Sequence, residues 1–195
     1  MRTRPIVFVA VALAAIVASG CSNDDDPSVA VESDSMASST AADATAAGDE
    51  HNDADVTFAQ VMIPHHERAV EMAVMASERA GSPEVLELAA RIEQAQQPEI
   101  ELMRGWLATW GDKDTGMEMG DMNEQMTELE AAGDTEFDRM FLEMMIEHHS
   151  SAIEMAEQEV ADGAYEPAIE LAGQIIDAQQ AEIELMQSLL DQSQG

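Results

Sequence analysis

Two histidine pairs, each preceded by a methionine at the spacing of one helical turn, are the residues of this sequence best suited to chemistry. They are, in chain order, Met62 with His65 and His66, and Met145 with His148 and His149. Residues three and four apart lie on one face of a helix. The imidazoles and the thioether of each group could therefore hold one ligand together.

This combination of donors favours copper. Thioethers are soft ligands that select Cu(I), whereas imidazole also binds zinc, iron and nickel. Zinc would be expected to use His, Cys or carboxylate ligands, with little use for Met. Met is also a common filler of helical cores, so it is the repeated pattern that carries the prediction. We predict a copper site with Cu(I) favoured, and another transition metal as the alternative.

A methionine-rich stretch predicts a second metal patch. Four methionines fall within ten residues of a charged, glycine-containing segment, which is unlike a sequence that forms a core. Thioethers on a flexible segment suit Cu(I). The four residues are Met117, Met119, Met122 and Met126.

The histidine pairs belong to an internal duplication. The segment Met62–Met103 aligns with Met145–Met186 at a constant offset of 83 residues, and nearly half of the aligned positions are identical. The His-His pairs and the terminal methionines are among the residues that both copies retain. Comparison of the two halves thus singles out these positions without reference to any other protein.

Each copy predicts two helices joined by a short turn, because apolar residues recur at helical spacing and no alternating strand pattern is present. The predicted organisation is hairpin one at 56–111, a Met-rich link at 112–134 and hairpin two at 135–192, within a domain at 56–195. The predicted boundaries are a capping box of Thr57 with Gln60, a stop at Gly81, a start at Ser82-Pro83, a stop at Gly111, a start at Thr135, a stop at Gly163 and a start at Pro167. Two hairpins give an all-α four-helix bundle.

Folding each hairpin about its turn predicts a layer of candidate ligands. With the first turn centred near Ser82, His65 lies level with Glu99, and Met62 lies level with Met103. Adjacent helical residues point about 100° apart, so one imidazole of each pair faces the core and the other faces a neighbouring helix. Amides one turn away could hydrogen-bond the ligands, namely Gln96, Gln97, Gln179 and Gln180.

Residues 1–21 predict an export signal. Arg2 and Arg4 precede an apolar run that is short for a transmembrane helix, and small residues lead to Cys21, the only cysteine. The pattern resembles a bacterial lipoprotein signal, in which the cysteine carries the lipid. Residues 22–55 predict a disordered acidic tether in which His51 is interpreted as a solvated histidine. We expect an extracytoplasmic, lipid-anchored protein, with an ordinary secreted protein as the alternative.

Composition excludes several classes of function. The 195 residues include 40 acidic and 8 basic ones, for a net charge of −32, and nucleic acid is excluded because phosphate binding needs clustered Lys and Arg. The Glu-x-x-His spacing of di-iron bundles is absent, and no catalytic constellation is evident. We therefore predict a metal-binding protein without turnover. A ferritin-like di-metal enzyme and an acidic structural module without metal remain the alternatives.

Three blocks of this sequence resemble the bacterial domain of unknown function 305 family. They are Met62–Ala73, Phe137–Leu142 leading into Met145–His149, and the Gln-x-x-Glu-Ile-(x)2-Met ending of each copy. The resemblance implies a ferritin-like four-helix bundle, secreted or lipid-anchored, in a family with members linked to copper binding and copper resistance. The ligand positions that it implies are His65, His66, Met72 and Met103 in the first copy, and His148, His149, Met155 and Met186 in the second.

Overall fold

The computed structural model describes residues 50–114 and 120–193. They form five helices, α1 (Asp53–Arg79), α2 (Pro83–Trp110), α3 (Gly120–Ala131), α4 (Asp134–Asp162) and α5 (Glu166–Ser193), and no strand. The predicted all-α fold is confirmed. None of the helices in this part of the chain has the length and apolar character needed to cross a membrane. The predicted signal with Cys21, most of the tether, Met117 and Met119 lie outside the described residues.

The first helix begins earlier than the sequence analysis predicts. Asn52 is its N-cap: the Asn52 side chain accepts hydrogen bonds from the backbone N–H groups of Ala54 and Asp55, and the Asp55 carboxylate accepts one from the Asn52 N–H at 2.6 Å. This reciprocal pair is a complete capping box, so the predicted box of Thr57 with Gln60 is wrong. The last residues assigned to the tether therefore belong to α1.

The other predicted boundaries are close to those observed. Ser82 caps α2 with Pro83 in the first turn, and Gly111 ends α2 in a left-handed conformation at φ 83°. Gly163 follows the last residue of α4. The helices α4 and α5 each begin one residue before the predicted start. The turns were predictable because their Gly and Ser-Pro signals are local.

The predicted Met-rich link contains a helix, α3, which the sequence analysis did not predict. The guanidinium of Arg79 on α1 donates hydrogen bonds to the carbonyl groups of Leu129, Glu130 and Ala132 at 2.5–3.0 Å, which satisfies the C-terminal end of α3. Met126 is buried and packs in the same core cluster as Leu129. The interpretation of Met126 as part of a flexible patch is therefore wrong.

The two hairpins pack through α1 and α4, which run antiparallel. The start of α1 packs with the end of α4 in one apolar cluster, which contains Phe58 and Ala156 and is called the Phe58 cluster here. The end of α1 packs with the start of α4 in a second cluster, which contains Ala73 and Phe141 and is called the Phe141 cluster. Phe58 and Phe141 are 83 residues apart, so the duplication is visible as a two-fold relation between the hairpins.

A polar layer separates these two apolar clusters. Helix α1 contributes residues up to Ile63 to the Phe58 cluster and residues from Ala69 to the Phe141 cluster. The intervening turn of α1 and its counterpart on α4 carry the histidine pairs. The buried polar residues of this layer are His65, His66, Gln96, His148, His149 and Gln179.

Candidate metal centre

His65 and His148 face each other where α1 and α4 pack together. Their ring centroids are 3.6 Å apart and their planes are inclined by 39°. Both side chains are buried, with 1% and 2% of their surface exposed. We call them the inner histidines. Because they are 83 residues apart, they occupy equivalent positions in the two copies.

His66 and His149, the outer histidines, point instead toward the second helix of their own hairpin. His66 Nε2 lies 2.7 Å from Glu99 Oε2, and His149 Nε2 lies 2.7 Å from Glu182 Oε2. Each pair thus divides as the 100° rotation between adjacent residues requires. The predicted level of Glu99 is correct, and its partner is His66 rather than His65.

The inner imidazoles are neutral. Burial, with smaller contributions from the nearby His66 and His149, lowers the pKa of His65 to about 3. Burial also holds the pKa of His148 well below its usual range, with smaller effects from the other three imidazoles. A neutral imidazole has a free lone pair on one ring nitrogen, which is the form that binds a metal ion.

Several nitrogen atoms in this layer are buried without a hydrogen-bond partner. No described residue pairs with Nδ1 of any of the four histidines or with Nε2 of His148. His65 Nε2, by contrast, lies 3.1 Å from the hydroxyl oxygen of Ser151. A buried polar atom left unpaired costs about 1–3 kcal/mol, so such a group in a native core calls for an explanation. A bound cation would supply the missing partner.

Thioethers lie on both sides of the histidine layer. Met62 and Met103 belong to the Phe58 cluster, Met145 and Met186 belong to the Phe141 cluster, and all four are fully buried. Each hairpin therefore contributes two methionines at the border of the layer. Met62 and Met145 each precede an inner histidine by three residues, which is about one turn of helix.

Met72 and Met155 lie farther from this layer. Each is seven residues beyond an inner histidine, which is about 10 Å along the helix axis. Met72 is buried in the Phe141 cluster, and Met155 packs against the Phe58 cluster. These two positions, which the family resemblance implies as ligands, are part of the apolar packing in this structure.

Imidazole and carboxylate alone do not make a metal site in this arrangement. Among residues 50–114 and 120–193, no three His, Cys, Asp or Glu side chains are grouped closely enough to hold a metal ion. A cation in the layer would thus need thioether ligands in addition to the inner imidazoles. This donor set suits a soft ion such as Cu(I). It differs from the hard, oxygen-rich ligand set of a di-iron enzyme.

The amides of the layer were anticipated only in part. Gln96 and Gln179 are buried, and both side-chain polar atoms of Gln96 and the Oε1 of Gln179 have no hydrogen-bond partner within the described residues. Gln97 and Gln180 are exposed. Ser151 was not predicted, because its counterpart in the first copy is Arg68 and the duplication gives no signal there.

Sequence comparison assigns this arrangement to a family. Residues 55–190 match the family described as Domain of unknown function (DUF305). The chain belongs to the DUF305 family. The match spans both hairpins and the helix between them, and it confirms the resemblance drawn from the histidine blocks. A comparison with curated proteins finds no match.

Solved structures of CopM and of DUF305 proteins have a similar fold. CopM in a Cu(I)-bound form is 32% identical to this chain with a TM-score of 0.66, and the match covers 72% of this chain and 98% of CopM. CopM has also been solved in Cu(II)-bound and Ag-bound forms. A DUF305 protein from Streptomyces coelicolor, provisionally described as secreted, is 29% identical with a TM-score of 0.67, and the match covers 73% of this chain and 93% of that one.

Proposed function

We propose that this DUF305 protein binds copper, with Cu(I) favoured, and that it sequesters or buffers the metal without catalytic turnover. The observation that carries the proposal is a buried layer of four imidazoles with unpaired ring nitrogens, bordered by four buried thioethers. These histidines and methionines were recognised in the sequence, and all of them are buried. Copper binding by CopM, at 32% identity, supports the choice of metal.

In this proposal the inner histidines, His65 and His148, are the nitrogen ligands. They are neutral, and they come from different hairpins at a ring separation of 3.6 Å. Sulfur ligands come from the methionines bordering the layer, Met62, Met103, Met145 and Met186. One ion held this way joins the two hairpins, so metal binding should also stabilise the bundle.

The outer histidines are assigned a supporting or ligating role. The carboxylates of Glu99 and Glu182 each hold one ring nitrogen of His66 and His149, which leaves the Nδ1 of each ring unpaired. A carboxylate that fixes a ring in this way sets its orientation and raises its basicity. The buried amides of Gln96 and Gln179 could then hydrogen-bond the ligands.

The methionine-rich link remains a proposed second copper patch, with one methionine fewer than the sequence analysis predicts. Met126 belongs to the core, so the proposal now rests on Met117, Met119 and Met122. These residues lie in an acidic part of a chain whose net charge is −32, which favours the collection of cations before they reach the bundle.

We further propose that the protein works outside the cytoplasm, anchored by a lipid on Cys21. The support is the basic, apolar and small-residue pattern of residues 1–21 and the acidic composition of the segment that follows. The provisional description of the Streptomyces coelicolor protein as secreted is consistent with this localisation. Labelling of the expressed protein with a fatty acid, compared with a Cys21→Ser variant, tests the anchor.

A competition titration tests the copper proposal. The protein is titrated with Cu(I) under reducing conditions against a chelator, with zinc and iron in parallel, beside a variant in which His65 and His148 are both replaced by Gln. Preferential Cu(I) binding that weakens at least tenfold in the variant supports the site. Equal Cu(I) affinity in the two proteins, with both folded by circular dichroism, would contradict it.

A further inference from the structure

Each hairpin caps the turn of the other with an aspartate. Asp55 in the first turn of α1 accepts hydrogen bonds from the backbone N–H groups of Ala164 and Tyr165 in the α4–α5 turn, at 3.1 and 2.9 Å. Its counterpart Asp138 on α4 accepts the equivalent bonds from the α1–α2 turn, at 3.0 and 2.7 Å. The duplication therefore includes a reciprocal pair of caps.

One of these caps has an additional acid. Glu159 lies beside Asp55 and is only 1% exposed, whereas its counterpart beside Asp138 is Ala76. The first hairpin shows that the cap forms without a second carboxyl group. Glu159 is thus a buried titratable group that the cap itself does not need.

The chain makes room for this carboxyl group. A Cβ atom added to Gly163 would lie 2.5 Å from Oε1 of Glu159 and 2.7 Å from its backbone carbonyl oxygen. The counterpart of Gly163 is Ala80, and the two residues have similar extended backbones, φ −66° and ψ 158° against φ −64° and ψ 135°. Glycine is therefore needed for space rather than for its backbone freedom. Where the first hairpin has Ala76 and Ala80, the second has Glu159 and Gly163.

The two carboxyl groups have opposite preferences. Burial disfavours charge on Asp55, but hydrogen bonds from Glu159 and from three backbone N–H groups outweigh it and lower the Asp55 pKa. Burial, reinforced by the hydrogen bond and the charge of Asp55, raises the pKa of Glu159 to about 8. Glu159 also lies in the last turn of α4, where the helix dipole disfavours an anion.

No cationic side chain lines the groove beside Glu159. A base at this end of the bundle, His51, stacks on Trp110 with ring centroids 4.5 Å apart. Glu159 lines a groove of about 270 Å³ between α1 and α4, to which α1 contributes Asp53, Thr57 and Phe58, and no Lys, Arg or His of the described chain lines it. At the same end, α2 presents Trp106 and Trp110 to Tyr165, which precedes α5. Both carboxyl oxygens of Glu159 are buried behind the wall of this groove.

We propose that Asp55 and Glu159 bind one proton between them, and that this proton closes a latch between the start of α1 and the α4–α5 turn. In the closed state the Glu159 hydroxyl donates a hydrogen bond to the Asp55 carboxylate. Loss of the proton to water leaves two buried anions in contact, whose repulsion weakens the cap. The latch lies outside the histidine layer, so it can operate whether or not copper binds there.

Three measurements on the apo-protein test the latch. Carbon NMR should show the Glu159 carboxyl titrating near pH 8. The amide protection factors of Ala164 and Tyr165, corrected for intrinsic base catalysis, should fall as the pH rises toward that value and level off above it. Between about pH 5 and 8 the ratio of folded to unfolded wild-type protein should fall about tenfold per pH unit relative to Glu159→Gln. The amides of Gly81 and Ser82, under the matched cap of Asp138, should show no such change.

Titration of Glu159 near its ordinary value of 4.5, or equal pH responses of the two turns, would overturn the proposal. The carboxyl titration of the wild-type protein decides the question even if Glu159→Gln does not fold. Glu159→Ala, which copies the first hairpin, should fold and should lose the pH response between 5 and 8.

Discussion

Among the individual residues of the site, some side chains are proposed to bind the metal and others to orient the histidine rings. Glu99 and Glu182 hold one nitrogen of each outer histidine at 2.7 Å and are about one-fifth exposed. The inner histidines have no such carboxylate partner among the described residues, and they face each other from equivalent positions of the two copies. The two histidines of each pair therefore have different surroundings, which the sequence pattern does not distinguish.

Removing the carboxylates should weaken metal binding without removing a ligand. Glu99→Gln with Glu182→Gln is expected to lower Cu(I) affinity by at most about tenfold, because these carboxylates orient His66 and His149 beside the ligands rather than the ligands themselves. The matched control is Glu101→Gln with Glu184→Gln, two exposed acids on the same helices. A chelator competition measures both, and equal affinities of the two double variants would contradict the assigned role.

The methionines allow the most conservative test of the sulfur ligands. Met62→Leu with Met145→Leu keeps the volume of the core, so unfolding free energy should change by less than about 1.5 kcal/mol per site, while Cu(I) affinity falls. Met72→Leu, in the Phe141 cluster two turns from the inner histidine, should leave affinity unchanged. If Met72→Leu weakens binding as much as the double variant does, the positions implied by the family resemblance are the correct ones.

At the element scale, local signals were readable from the sequence and long-range contacts were not. Ser82-Pro83 and Gly111 mark helix ends by their own chemistry, and the level of Glu99 follows from counting residues on either side of a turn. The helix α3 depends on the guanidinium of Arg79, 50 residues away from its hydrogen-bond acceptor Leu129. No local sequence pattern predicts a contact between residues this far apart. The link was therefore predicted without a helix.

The same reasoning applies within the site. The duplication predicted the histidines and the methionines because both copies keep them. It could not predict Ser151 beside His65, where the copies differ. It also gave no indication of which imidazole of each pair points inward, since that depends on how the hairpins pack.

Helix α3 should depend on one side chain of α1. Arg79→Gln removes charged hydrogen bonds to the C-terminal carbonyls of α3 and the contact of the guanidinium with Phe137 at 4.7 Å. The expected loss is about 1.5–3 kcal/mol for a charged hydrogen-bond donor. Amide exchange should rise in α3 and remain unchanged in α2, whereas Arg91→Gln, an exposed residue, should change neither. Unaltered exchange in α3 would show that Arg79 does not hold it.

At the scale of the whole molecule, buried titratable groups set how stability depends on pH. The pKa of His65 falls to about 3 and that of His148 falls well below its usual range, so the unfolded chain binds more protons than the folded one below about pH 6.5. The pKa of Glu159 rises from 4.5 to about 8, so in that window the folded protein binds more protons. The two effects have opposite signs.

The apo-protein should therefore be most stable near pH 6.5. Below that value the two inner histidines should cost about 1.4 kcal/mol per pH unit each, which exceeds the opposite effect of one Glu159. Above it, stability should decline until about pH 8 as Glu159 ionises. Urea unfolding from pH 4.5 to 9 measures the curve, and Glu159→Gln should remove its alkaline limb only. A flat curve between pH 4.5 and 6.5 would mean that the inner histidines are not buried as neutral groups.

One Cu(I) site inside the bundle is proposed to use imidazole and thioether ligands together. X-ray absorption of the Cu(I)-loaded protein identifies those ligands. We expect nitrogen and sulfur among the nearest neighbours of copper, with nitrogen lost in the double variant His65→Gln and His148→Gln, and sulfur reduced in the variant Met62→Leu with Met145→Leu. Neighbours made up of oxygen alone, or a spectrum that neither variant changes, would contradict the claim and place the metal elsewhere on this acidic chain.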